Sequence, residues 1–148
     1  MIIRGSLRVL SLLLVLACGA VPQTREPNNV WRDLIKRPLT ASNGGQYWAA
    51  LKDALIPNGL APYLQGSLMA ITPAKAGTTR LLISMEGTDT ADVTILLRGP
   101  MAKLKSEPRK GALVRFSGVV RTYTKEPFMV TFEVGTWGSG SLDFIEPR

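Results

Sequence analysis

The sequence predicts a mainly β domain, and three observations carry that expectation. From Pro62 onward the apolar residues recur with a period of two, the spacing of a strand that turns one face to a core. Ten Pro and 14 Gly supply turns throughout a chain of 148 residues. Hydrophobic residues at 45% and charged residues at 20% are the proportions of a chain that buries a core.

The first segment stands apart from that domain. Arg4 and Arg8 precede the run Val9–Ala17, apolar except for Ser11, and small residues and Pro22 follow it. Such a run is too short to span a bilayer core of about 30 Å as a helix, and its order is that of a secretory signal over residues 1–20. Two processing outcomes fit. Val15-Leu16-Ala17-Cys18 resembles a bacterial lipobox, in which Cys18 is lipidated and becomes the new N-terminus. Ordinary cleavage after Ala20 fits as well, with Cys18 and Ala20 as small flanking residues. Either outcome implies an exported bacterial protein, periplasmic, membrane-anchored through a lipid, or secreted. Either also leaves a mature chain without a free thiol, which suits an oxidising compartment.

Residues 21–45 are polar and rich in Pro, Asn and Gly, the composition of a flexible tether. One helical turn is expected inside it at Val30–Ile35, where Trp31, Leu34 and Ile35 form a small apolar face. The domain proper is expected over residues 46–148. It starts with one N-terminal α-helix, Gln46–Leu55, in which Trp48, Leu51 and Leu55 recur at helical spacing. Ser42 or Asn43 supplies its N-cap, and Pro57-Asn58-Gly59 stops it.

Strands follow at Tyr63–Thr72, Thr79–Glu86, Ala91–Arg98, Ala112–Arg121 and Phe128–Val134, with a short sixth at Leu142–Ile145. In the fourth, Val114, Phe116, Gly118 and Val120 face the core while Arg115, Ser117 and Arg121 face water. The longest link, Gly99–Gly111, lies between the third and fourth strands. Five short strands with that spacing match a small OB-like Greek-key barrel. Gly66 and Gly118 would mark bends that close it. A sandwich of the same strands is the alternative.

The stretch Lys110–Val119 followed by Tyr123-Thr124-Lys125-Glu126-Pro127-Phe128-Met129-Val130-Thr131-Phe132-Glu133-Val134 resembles a C-terminal module of secreted bacterial tetratricopeptide-repeat proteins of acidobacterial type. Tyr47–Gly59 and Gln65–Leu68 extend the resemblance, which covers residues 46–135. Its most specific element is Thr124–Val134. The chain departs from those proteins in having no repeat of about 34 residues. The resemblance implies an exported OB-like module without catalytic activity.

Composition limits the chemistry. The absence of His excludes a Ser-His-Asp triad and a His-ligated metal, and a single Cys excludes an intramolecular disulfide. No cofactor and no metal are expected. Glu86, Asp89 and Asp92 gather at one turn, and Glu126 and Glu133 lie near the fifth strand; of these carboxylates the turn cluster is the candidate for hydrolysis. Acids in turns more often cap backbone N–H groups, so a non-enzymatic protein is expected.

Charge offers the better site. After residue 20 the chain carries 16 basic and 11 acidic groups, a net +5. Arg98, Lys103, Lys105, Arg109, Lys110, Arg115, Arg121 and Lys125 are opposed between residues 98 and 126 only by Glu107 and Glu126. Arg98, Lys103, Lys105, Arg109, Lys110, Arg121, Tyr123 and Lys125 are therefore the candidate ligand-binding residues, with Lys75 and Arg80 bordering them. Tyr123 is placed to stack on a ring. The expected partner is an envelope protein or an anionic polymer, or else a larger repeat protein on which the domain assembles. An exported chain does not ordinarily meet nucleic acid, and membrane contact is expected only through an N-terminal lipid. The plainer reading makes the same charges a solvated rim that discourages strand-edge pairing. Trp137, among glycines, is expected to fold over the open end of the barrel.

Overall fold

In the computed structural model the described residues are 27–57, 59, 61–74, 77–102, 104, 107–135 and 140–146. The signal segment with Cys18 lies outside them, as do Lys75, Lys103, Lys105 and Trp137.

The described chain opens with a helical run where the sequence suggests a tether. It comprises α1 (Pro27–Trp31), a π-helical turn (Arg32–Lys36) and α2 (Arg37–Thr40). Trp31, Ile35 and Leu39 recur every fourth residue, so they share one face. That face is buried with Val30, and the Trp31 ring lies 5.9 Å from that of Phe128. The apolar stripe thus outweighs the two prolines. Pro27 occupies a first turn, where its missing N–H costs nothing. Pro38 withholds the N–H that an α-helix directs at the carbonyl four residues back, here Leu34. The Tyr47 hydroxyl donates to that Leu34 carbonyl instead.

Tyr47 belongs to α3 (Gly44–Leu51), which buries Leu51. Asn43 occupies its N-cap position but makes no side-chain cap. The helix ends four residues earlier than the apolar spacing suggests. Asp53 takes a positive φ of 64°, and its N–H donates to the Val120 carbonyl at 2.8 Å. Leu55 and Ile56 then form β1 rather than a last helical turn. Strand pairing to Val119 and Gly118 wins over helix propensity, and Leu55 ends 41% exposed.

Six further strands follow: β2 (Leu64–Ala74), β3 (Thr78–Ser84), β4 (Val93–Leu97), β5 (Leu113–Lys125), β6 (Phe128–Val134) and β7 (Ser141–Ile145). The protein is mainly β, with one mixed seven-stranded sheet. β2 pairs antiparallel with β3, β3 antiparallel with β4, and β4 parallel with β6. β6 pairs antiparallel with β5, and β5 antiparallel with β2. The ladder of these five strands therefore returns to the strand where it began. β1 and β7 attach to β5.

Alternation sets the inner face. Leu81, Ile83, Val93, Ile95, Leu97, Val114, Phe116, Val120, Val130, Phe132 and Val134 are buried. The Phe116 and Phe132 rings meet edge to face at 5.3 Å. Two glycines make this packing possible. A Cβ on Gly66 would overlap Ile83 Cγ2, and one on Gly118 would lie 3.0 Å from the Glu133 carbonyl oxygen. Register shifts fall in β2 between Leu68 and Ala70 and in β5 between Val120 and Thr122.

Candidate functional site

The outward face of β3, β4 and β6 is built by register. Arg80 stands opposite Leu96, and Leu96 opposite Glu133. In the next row Leu82 stands opposite Thr94, Thr94 opposite Thr131, and Thr131 opposite Thr122 of β5. Leu82 and Leu96 are half-buried although they point away from the core, and Thr94 is only 8% exposed. The Thr94 hydroxyl lies 3.2 Å from Met129 Sδ.

Charge borders this face in an alternating chain. Glu133 Oε2 lies 3.3 Å from Arg98 Nε and 3.4 Å from Arg121 Nε. Arg121 Nη1 donates to Asp53 Oδ1 at 2.8 Å. One carboxylate thus holds two guanidinium groups side by side, one just beyond β4 and one from β5. Each guanidinium carries five N–H donors, more than the shared oxygen accepts. Arg80 is exposed on the same face and has no carboxylate partner among the described residues.

The other basic residues singled out in the sequence are dispersed. Arg109 and Lys110 are exposed at the turn that leads into β5, and Lys125 is exposed at its far end. Tyr123 points to the core side, opposite Val130, and its ring packs 4.7 Å from Trp48. The bulge between Val120 and Thr122 shifts the alternation, so Tyr123 and Arg121 cannot serve one surface.

The acidic turn resolves into three separate environments. Asp92 is 9% exposed, and its Oδ1 accepts the Met85 N–H at 2.8 Å. Burial pushes its carboxyl above the usual range, against the lowering pull of that hydrogen bond and of Lys36. Glu86 pairs with Lys36 at 2.5 Å, and Asp89 is exposed. No group of three or more Asp, Glu, Cys or His able to hold a metal ion occurs among the described residues.

A cleft of about 370 Å³ lies where the helical run meets β2 and the end of β3. Its polar lining comes from Asn28, Arg32, Gln65, Ser67, Ser84 and Glu86. Of these only Glu86 stands out in the sequence, as a member of the acidic turn. Arg32 is positioned by the Trp31, Ile35, Leu39 stripe, which buries one face of the run that carries it. Arg115 Nε donates to Gln65 Oε1 at 3.1 Å, and its guanidinium sits 4.7 Å over the Tyr63 ring.

Compared with known proteins, the chain matches no protein-family model and no curated protein.

Proposed function

We propose that the chain is an exported, non-enzymatic binding domain of the bacterial cell envelope, built on an OB-like Greek-key barrel. Its ligand is an anionic polymer or an acidic protein surface, taken on the outward face of β3, β4 and β6. The closed circuit of pairings, with its one parallel pair between β4 and β6, supports the barrel. The signal-like N-terminus and the resemblance to the secreted module support export.

The observation that carries the binding reading is the guanidinium pair fixed by Glu133 beside a half-buried apolar and threonine strip. Holding Arg98 and Arg121 in place lowers the entropy cost of gripping an anion. Planar guanidinium groups suit carboxylate and sulfate oxygens. Thr131 and Thr122 add hydroxyl donors, and Leu82 and Leu96 add apolar contact.

Retention on immobilised dextran sulfate and on polyglutamate tests this reading. The parent chain is expected to bind at low salt, and an Arg80→Gln/Arg98→Gln variant to elute at clearly lower ionic strength. An Arg109→Gln/Lys110→Gln variant is expected to shift less. Equal elution of the parent and the first variant rejects the face. Salt-insensitive capture of a larger repeat protein, equal in all variants, favours an assembly accessory instead.

A further inference from the structure

We propose that the cleft between the helical run and the β2–β3 end binds the carboxylate of a small polar ligand. This site is separate from the outward face and does not rest on that reading.

Three features assign the chemistry. Arg32 lines the cleft and has no carboxylate partner among the described residues. Its neighbours on the same run are engaged: Arg37 lies 3.5 Å from Asp33, and Lys36 2.5 Å from Glu86. Arg32 is therefore the cation of this run left for an outside anion.

Gln65 adds a fixed donor. A guanidinium only donates hydrogen bonds, so the Gln65 oxygen must face Arg115. The amide N–H₂ group consequently points away from Arg115, with two donors for the cleft. Arg115 is steadied by the Tyr63 ring, so this orientation is built in. A guanidinium and an amide N–H₂ together form a donor set for a carboxylate.

Glu86 sets the other end. Lys36 holds it at the cleft wall, where its second oxygen accepts a hydroxyl or N–H from the ligand. The ligand is thus a carboxylate that carries its own donors a few ångströms away. A volume of about 370 Å³ suits one sugar ring or a dipeptide. A uronic acid and an acidic dipeptide share this chemistry, and the probes separate them.

The experiment titrates the folded chain with glucuronate, glucose, glycylglutamate and acetate, following backbone amide signals of Gly66, Ser67 and Gly87. Glucuronate or glycylglutamate is expected to saturate, and whichever does so names the source of the carboxylate. Glucose, without a carboxylate, is expected to bind at least tenfold more weakly than glucuronate. Arg32→Gln should weaken the saturating probe by about 10- to 100-fold, the scale of a lost charge-assisted hydrogen bond. Arg32→Lys should recover only a fraction of that loss. Failure of both carboxylate probes to saturate overturns the proposal. So does an affinity that Arg32→Gln leaves unchanged, or glucose binding as tightly as glucuronate.

Discussion

Two arginine settings in this molecule differ in a way that decides their use. On the outward face, Arg98 and Arg121 share the Glu133 carboxylate, which is only 14% exposed. At the cleft, Arg32 shares the lining with a carboxylate that Lys36 has already taken. The first arrangement is a fixed donor array with its charge largely balanced. The second is a single cation with its charge still open. Formal charge is the same at each arginine, so availability is set by which acid the fold brings within reach.

The largest expected effect removes the support of the second setting. Trp31→Ala takes a buried ring from the core, and truncations of this kind cost about 3–5 kcal/mol. Denaturant unfolding should show that loss at pH 7. The cleft signals should then lose their order before those of β4 and β6. A loss below about 1 kcal/mol would mean that the helical run contributes little to the core, and the contrast between the two settings would fail.

A smaller effect is expected at the shared acid. Glu133→Gln leaves two guanidinium groups adjacent without the carboxylate between them. Both arginines are more than 40% exposed, so solvent screening holds the cost to about 1 kcal/mol or less. The difference from the parent should shrink as salt rises. A loss that salt does not change would mean that packing, not charge, is the role of Glu133.

The smallest effect concerns pH. Burial raises the Asp92 carboxyl in the folded state above its unfolded value. The folded chain therefore holds its proton more tightly, and Asp92 favours folding at low pH. That contribution fades as pH rises from the ordinary carboxylate range through the raised folded value. Asp92→Asn keeps an acceptor for the Met85 N–H and removes the buried charge. The variant should match the parent in acid and be slightly more stable at neutral pH. Lower stability at neutral pH would show that attraction to Lys36 outweighs burial.

Much of the sheet was legible because alternation is a local signal. Phe128–Val134 has the same bounds in the sequence pattern and in β6. The other expected strands differ by a few residues at their ends, and β1 lies where the pattern suggests the end of a helix. The helical run was not legible as a core element, because polar residues and prolines surround its stripe. Trp31 becomes a core residue through contacts distant in sequence, such as that with Phe128 about a hundred residues away. The candidate surface was half legible. Outward placement of Arg98 follows from the pattern, but its partner Glu133 depends on a parallel pairing with β6. The inward turn of Tyr123 depends on a bulge that no periodicity announces. The orientation of Gln65 depends on Arg115, fifty residues on.

The bond from Tyr47 to the Leu34 carbonyl carries a lesson about mutational order. Pro38 and Tyr47 form a complementary pair: one withholds a donor and the other supplies it. If position 38 first regains an N–H, as in Pro38→Ala, the carbonyl has a donor within the helix and Tyr47 becomes replaceable by Phe. If Tyr47→Phe comes first, the Leu34 carbonyl loses its hydroxyl donor while position 38 still lacks an N–H. The same two substitutions are thus expected to cost less when the proline changes first than when the tyrosine does.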